Sequence, residues 1–445
     1  MDQERYNSLI QSIFQRFPSV QTSSFNDAYK PGLQHMLDFN AALGGPDKAF
    51  RTIHVAGTNG KGSVANMLAS VLAGTGLKVG LYTSPHILDF RERMRIVSGK
   101  HTAELVQKEY VQDFLEKWSD TFDKLELSFF EITTGLAFKW FADMDVDVAV
   151  IEVGLGGRLD STNIITPELS IVTSIGLDHC DLLGDTLAKI AFEKAGIFKP
   201  GVPVLIGETR PETEPVFREH FAEINEAAQG AATLTFADEV EPSLWYMHDD
   251  ILSKMDLQGE YQRRNLRTAL AAVDILRGRF PGMEAPEVVE SLIHTAARMD
   301  FHGRWERLST NPDVICDIGH NAPALKYNFG QLNSYLESGK YSSLIMVYGI
   351  MADKDLDAIM PLFPENATWI FTTPQTRRSD SAEDIKERYS AYCASCGRPA
   401  TRLYVQNSVK EAVAMALKTA DAYGGNPLIY IGGSTFVVSE AVPCF

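Results

Sequence analysis

Short apolar runs recur along the chain, each closed by a glycine turn or a polar cluster and followed by a stretch with helical periodicity. The first is Thr52 to Ala56, then a Gly-rich turn, a helical pattern from Ser63 to Ala73 and a second apolar run from Lys78 to Thr83, the order of a βαβ unit. Runs at Val146 to Val153, Leu169 to Ile175 and Val202 to Ile206 follow, with helical patterns at Phe129 to Phe141 and Thr186 to Phe198 between them. Continuous apolar runs of this length read as parallel strands covered on both faces. Two further helices are expected at Tyr261 to Arg279 and Pro286 to Arg298, after which His302-Gly303 interrupts the pattern, and a domain boundary is placed there, between 1–299 and 300–445. Beyond it strands are expected at Val314 to Ile318, Ser343 to Tyr348, Thr368 to Phe371 and Leu428 to Ile431, alternating with helices from Ala322, Leu356 and Ala382. The Ala-rich stretch Ile224 to Thr233 reads as a surface helix, and no internal repeat stands out.

With 445 residues, 45% of them hydrophobic, the chain can build packed cores without metals or disulfides. A formal net charge of −17 excludes a protein made to neutralise nucleic-acid phosphates or to lie on an anionic membrane, so neither partner is expected. Five scattered cysteines fit a reducing compartment, the cytoplasm. Cys393 and Cys396 form a CxxC whose flanks offer no further zinc ligands. The opening MDQERYNSLIQSIF carries acids early and no long apolar stretch, so neither a leader nor a membrane span is expected in it.

Against that background, Gly57-Thr58-Asn59-Gly60-Lys61-Gly62-Ser63 stands out. It lies between a buried strand and a helix, where backbone N–H groups and a helix N-terminus can wrap a polyphosphate while a lysine reaches its terminal oxygens. It departs from the common phosphate-loop pattern: Val55 occupies the first glycine position, and Gly62 separates Lys61 from Ser63. The bland alternative is a ligand-free turn. Glu152 ends a buried run and so lies at the carboxyl edge of the sheet, where a carboxylate can hold Mg²⁺; a helix cap or surface charge is the plainer reading. Asp178-His179 follows another buried run toward the same edge, with a metal or phosphate role set against a structural one. By pattern alone Lys194 is a solvated charge. Arg91 to Arg95 is either a solvated edge strand or an anion-recruiting surface. His302-Gly303-Arg304 and Asp317 to Asn321 place an arginine, a carboxylate and an imidazole where a second domain could clamp a nucleotide.

Taken together, GTNGKGS at Gly57 to Ser63, Tyr82 to His86, Glu152 to Asn163, Asp178-His179, Glu193 to Ile197, Asp317 to Asn321, Gly349 to Asp355 and Gly432 to Ser434 resemble folylpolyglutamate synthase and bifunctional dihydrofolate synthase, members of the Mur ligase superfamily. The resemblance runs through nearly the whole chain in one order. It implies an α/β fold with an N-terminal P-loop ATPase-like parallel-sheet domain and a smaller C-terminal Rossmann-like domain. It further implies that Thr58, Asn59, Gly60, Lys61, Gly62 and Ser63 bind ATP phosphates, that Ser84 and Glu152 ligate one Mg²⁺ and that His179 ligates a second. Lys194 is implied to be carbamylated and to act with Lys61 and His179 in catalysis. Asn265 would meet the adenine, with Arg304, Asp317 and His320 completing the ATP site, and the pterin would lie near Phe129, Phe130, Glu131, Ile132, Leu159, Asp160 and Ser161. The implied reaction phosphorylates the carboxylate of dihydropteroate or folate with ATP and lets the amine of L-glutamate displace the phosphate, in a monomeric enzyme. A UDP-muramyl amino-acid ligase and a non-catalytic ATP-binding scaffold are the rivals. Two positions depart from the family pattern: Ala322 precedes Pro323, and Ala352 stands where histidine is common.

Overall fold

Alternating residues of Arg51–Ala56 cannot all find water in a parallel sheet, and in the computed structural model every one of them after Arg51 is buried. The structure describes residues 3–17, 32–227, 230, 232–376, 378–399 and 402–445. These form two compact units: one runs to Asp256 and resumes at Gln262–Phe301, the other comprises Leu257–Tyr261 and His302–Phe445. The division thus falls after Phe301 rather than after Met299, and a five-residue segment upstream belongs to the second unit.

In the first unit the strands are β1 (Arg51–Ala56), β2 (Lys78–Tyr82), β3 (Met94–Ser98), β4 (Glu104–Leu105), β5 (Val148–Glu152), β6 (Leu169–Val172), β7 (Val204–Ile206) and β8 (Leu234–Phe236), arranged β4-β3-β2-β5-β1-β6-β7-β8. β3 and β4 are antiparallel and the rest pair in parallel. The registers Val55↔Glu152 and Tyr82↔Ile151 bring the carboxyl ends of β1, β5 and β2 side by side, which is where a doubly wound sheet holds ligands. Helix Lys61–Gly74 starts at Gly60, in the left-handed region at φ 88°, and buries every residue from Gly62 to Ala73 between the sheet and helices Gln262–Leu276 and Ala285–Ile293. Truncating a buried Leu68 or Met67 there to alanine should cost about 2–5 kcal/mol.

The second unit holds β9 (Glu306–Thr310), β10 (Asp313–Asp317), β11 (Ser343–Tyr348), β12 (Ala367–Thr372), β13 (Leu403–Gln406) and β14 (Pro427–Gly432) in the order β13-β12-β11-β14-β10-β9, parallel except at β9. Its core is aromatic: Phe329, Tyr348, Phe363, Trp369 and Tyr430 pack around one another, with the rings of Phe363 and Trp369 stacked at 4.3 Å.

Three sequence expectations are corrected. Pro286 to Arg298 is two helices, Ala285–Ile293 and Thr295–Met299, broken at His294. The Ala-rich stretch is no separate helix: Glu214–Ala227 is one helix that ends inside it, residues 228, 229 and 231 lie outside the described residues, and β8 begins at Leu234. The Arg91 to Arg95 segment is not a solvated edge, since β4 covers β3 and both Arg93 and Arg95 are buried. Among the described residues no helix is long and apolar enough to cross a membrane.

Candidate active site

The phosphate loop is braced from the turn after β6. Thr58 N donates to Ser174 O (2.7 Å), Asn59 N to Ser174 Oγ (3.2 Å), Gly176 N to Thr58 Oγ1 (3.0 Å) and Thr173 Oγ1 to Asn59 O (2.7 Å). Gly57 sits at φ 149°, and a Cβ there would fall 1.9 Å from Thr173 Oγ1, so only glycine allows this approach. The loop then opens the helix at Lys61, whose first N–H groups have no carbonyl partner within the helix and face the end of β1. Ser63 is buried and its Oγ accepts from Gln262 Nε2 (3.3 Å), while Asn265 Nδ2 donates to Gln262 Oε1 (2.8 Å). Asn265 lies against the loop, its Oδ1 occupying the space a side chain at Gly60 would need. Sequence reasoning missed Gln262, Thr173 and Ser174; no motif marks them, because their job is to hold the loop by hydrogen bonds across more than 100 positions of sequence.

Two lysines converge on one carbonyl. Lys61 Nζ donates to Gly57 O (3.1 Å) and Thr58 O (3.4 Å), and Lys194 Nζ donates to the same Gly57 O at 2.9 Å. Lys194 is therefore no solvated charge: it is 4% exposed, and burial, reinforced by the nearby Lys61 charge, lowers its pKa from 10.5 to about 7. Helical periodicity misled because this residue lies in the last turn of Leu187–Ala195, against the loop after β5. That packing is close: Arg158 N donates to Glu193 O (2.8 Å), and Asn163 Nδ2 donates to Gly196 O (2.9 Å).

Beside the loop, Glu152 is buried at the end of β5 and accepts from Ser84 N at 3.1 Å. The charges of buried Arg93 and Arg95 both act on this carboxylate. Asp178-His179 follows β6 through the bracing turn; His179 adopts φ 52°, its N–H donating to Asp178 Oδ1 (3.0 Å), and its ring is partly exposed. Among the described residues no three His, Cys, Asp or Glu side chains cluster for a metal. The hard oxygens of Glu152 and Ser84 nevertheless suit Mg²⁺, which takes one or two protein oxygens and fills its octahedron with phosphate and water.

The residues expected around a pterin separate into two groups. Phe129, Glu131 and Ile132 are buried: Glu131 Oε2 accepts from Ser128 N (2.7 Å) and Ser128 Oγ from Glu131 N (3.2 Å), a capping box that starts helix Phe129–Asp143, and Ile132 belongs to the core. Phe130, by contrast, lies over Gly154, where a Cβ would meet its ring at 2.3 Å, and beside the Tyr82 ring at 5.9 Å. Leu159 and Ser161 are half-buried, whereas Asp160 is buried and accepts from Leu155 N (2.8 Å), Thr162 N (3.0 Å) and Thr162 Oγ1 (2.5 Å).

In the second unit Asp317 ends β10 and is saturated by donors. Oδ1 accepts from Gly319 N (2.8 Å) and Asn328 Nδ2 (2.7 Å), Oδ2 from Tyr261 Oη (2.6 Å) and Trp305 N (2.9 Å). With four donors its carboxylate organises the unit and has little left for a ligand. His320 and Arg304 are half-buried, and His320 Nδ1 donates to Ile318 O (3.0 Å).

The chain matches two family models, the Mur ligase middle domain over residues 55–273 and the Mur ligase glutamate ligase domain over 303–434. It is 34% identical to the folylpolyglutamate synthase of Lacticaseibacillus casei, over 77% of this chain and 80% of that protein. It is 31% identical to a probable bifunctional folylpolyglutamate synthase/dihydropteroate synthase of Halobacterium salinarum, over 93% of this chain but 49% of that protein, so it spans about half the length of that relative. Among solved structures, Mycobacterium tuberculosis folylpolyglutamate synthase complexed with ADP has a TM-score of 0.80 and 25% identity over 99% of this chain and 98% of that one. A bifunctional folylpolyglutamate synthase/dihydrofolate synthase with Mn, AMPPNP and L-glutamate bound gives 0.74 and 26% over 93% and 94%.

Proposed function

Because the chain belongs to the folylpolyglutamate synthase/dihydrofolate synthase family of Mur ligases, we propose that it is an ADP-forming ligase that joins L-glutamate through an amide bond to dihydropteroate, to the glutamate tail of folate, or to both. The observation that carries this reading is the convergence of Lys61 and Lys194 on Gly57 O beside the carboxyl end of β5. A phosphate loop, a strand-end carboxylate and two amines at one place suit the activation of a carboxylate by phosphoryl transfer, which rests on charge placement.

The residues divide the work. Backbone N–H groups of Thr58 to Ser63 cradle the nucleotide phosphates, and Lys61 leaves its own loop carbonyls for their terminal oxygens, which are stronger acceptors. Glu152 and Ser84 hold Mg²⁺, which supplies neutralisation of phosphate charge, and His179 is offered to a second ion. With a pKa of about 7, Lys194 is about half neutral at pH 7, and the neutral amine is the form that adds CO₂ and loses a proton to become a carbamate, which places an anion beside the metal site. Asn265 meets the adenine from its place against Gly60. In the second unit Arg304 and His320 serve the nucleotide directly, and Asp317 serves it by fixing the backbone before His320. Phe130, Leu159 and Ser161 face the pterin acceptor, while Phe129, Glu131, Ile132 and Asp160 support them from within the fold. A free carboxylate is a poor electrophile; as its acyl phosphate it accepts the glutamate amine and releases phosphate.

The free thiols of Cys180, Cys316, Cys393, Cys396 and Cys444 support a reducing cytoplasmic location. The test is glutamate-dependent ADP release with dihydropteroate and a reduced folate monoglutamate assayed in parallel. Lys61→Ala should abolish it; turnover unchanged in that variant would refute the reading.

A further inference from the structure

His54 lies on β1, three residues before Gly57, with no exposed surface, and the reaction outlined above gives it no task. Its Nε2 is 2.8 Å from Thr162 Oγ1. That hydroxyl is already 2.5 Å from Asp160 Oδ1, which accepts its single hydrogen, so toward His54 it can only accept. The imidazole must therefore carry its proton on Nε2. Nδ1 is then a bare acceptor, buried and without a hydrogen-bond partner, and protonating it would bury an unpaired N–H beside the Lys199 amine. Burial accordingly lowers the pKa of His54 to about 3 and keeps the ring neutral.

The chain of bonds continues into the loop after β5. Asp160 holds Leu155 N and Thr162 N, Lys199 Nζ donates to Asn163 O (3.0 Å), and Asn163 Nδ2 donates to Arg158 O (3.0 Å). Leu159 and Ser161, both half-buried, flank Asp160 in this loop. We propose that His54 is a positioning residue for the acceptor substrate: through Thr162 it fixes the Asp160 carboxylate and hence the Gly154 to Asn163 loop that meets the pterin. The proposal rests on the ligase reading above. It also means that one strand, β1, carries the phosphate loop at its end and sets the acceptor loop from its middle.

The test compares steady-state constants for the acceptor and for ATP. His54→Leu removes the donor and should raise KM for the acceptor roughly three- to tenfold, the worth of one hydrogen bond, while KM for ATP stays within about twofold. His54→Gln, whose amide nitrogen reaches the place of Nε2, should restore the acceptor KM. Thr162→Val should reproduce the His54→Leu effect, and the double variant should be no worse than either single change, because the two residues act as one unit. Thr162→Val also serves if His54→Leu fails to fold. The proposal is overturned if acceptor and ATP constants rise together, if the glutamine variant fails to rescue, or if the two effects add. Absence of glutamate-dependent turnover in the unmodified protein would instead overturn the ligase reading itself.

Discussion

Replacing Lys194 by methionine should make the ligand-free protein more stable while abolishing its activity. The folded chain lowers the amine from 10.5 to about 7, and at about 1.4 kcal/mol per pH unit this corresponds to about 5 kcal/mol held against the fold when the amine is charged. Methionine has similar length, needs no solvation and removes that cost. It also removes the hydrogen bond to Gly57 O, worth about 1.5–3 kcal/mol for a charged donor, although Lys61 still donates to that carbonyl. The net gain is about 2–3 kcal/mol. Its pH dependence is the diagnostic part. Below pH 7 folded and unfolded chains both carry the proton and the full burial cost applies; above 10.5 both are neutral and the cost is gone. The advantage of Lys194→Met must therefore be greatest at pH 6 to 7 and fade as the pH rises toward 10.5. Urea denaturation in CO₂-free buffer across that range measures it, with ADP release as the activity readout. A variant less stable than the parent at pH 6.5, or an advantage that does not shrink by pH 10, would refute the burial argument.

Gly57→Ala should weaken ADP binding by about five- to a hundredfold, because its Cβ would press on Thr173 Oγ1 at an unfavourable φ costing about 1–3 kcal/mol; Thr173→Ala should recover part of the loss, and unchanged affinity in a nucleotide titration would contradict the loop geometry. Glu131→Ala should lower stability by about 1–3 kcal/mol by leaving Ser128 N without its acceptor, whereas Glu131→Gln should keep both stability and the acceptor KM; a KM rise in the glutamine variant would show the carboxylate contacting substrate after all. On the acid side, His54 binds a proton only in the unfolded chain between pH 6.5 and about 3, so stability falls as the pH drops through that window. His54→Gln should flatten this fall by about 1.4 kcal/mol per pH unit, and parallel stability curves would rule the effect out.

What the sequence discloses depends on the range of the interaction. Strands such as Ser343–Tyr348 are legible to the residue because their burial is written in consecutive apolar side chains. The loop Gly57 to Ser63 and the strand-end Glu152 are legible because glycine, lysine and carboxylate at a strand terminus imply a ligand. Lys194 escapes, since nothing local distinguishes a lysine that reaches back 137 residues to Gly57 O from one that points into water. Arg93 and Arg95 escape for the same reason: Arg93 Nε donates to His86 Nδ1 with its guanidinium over the Phe129 ring, and Arg95 Nη1 donates to Asn66 Oδ1, partners that no local pattern names. Glu131 has a second, local explanation. Its pattern, serine followed three residues later by glutamate before an apolar run, is a helix-start signal that explains the residue without any substrate.

Asp317 has a consequence for how this chain can be cut. Because its Oδ2 takes one proton donor from Tyr261, in the short upstream segment, and another from Trp305, the second unit is stitched from two stretches of polypeptide separated in sequence by Gln262–Phe301, which belongs to the first unit. A fragment beginning at His302 would carry the whole six-stranded sheet yet leave that oxygen short of a partner in a buried place. An autonomous version of this unit has to bring Leu257–Tyr261 with it, joined by a linker of its own.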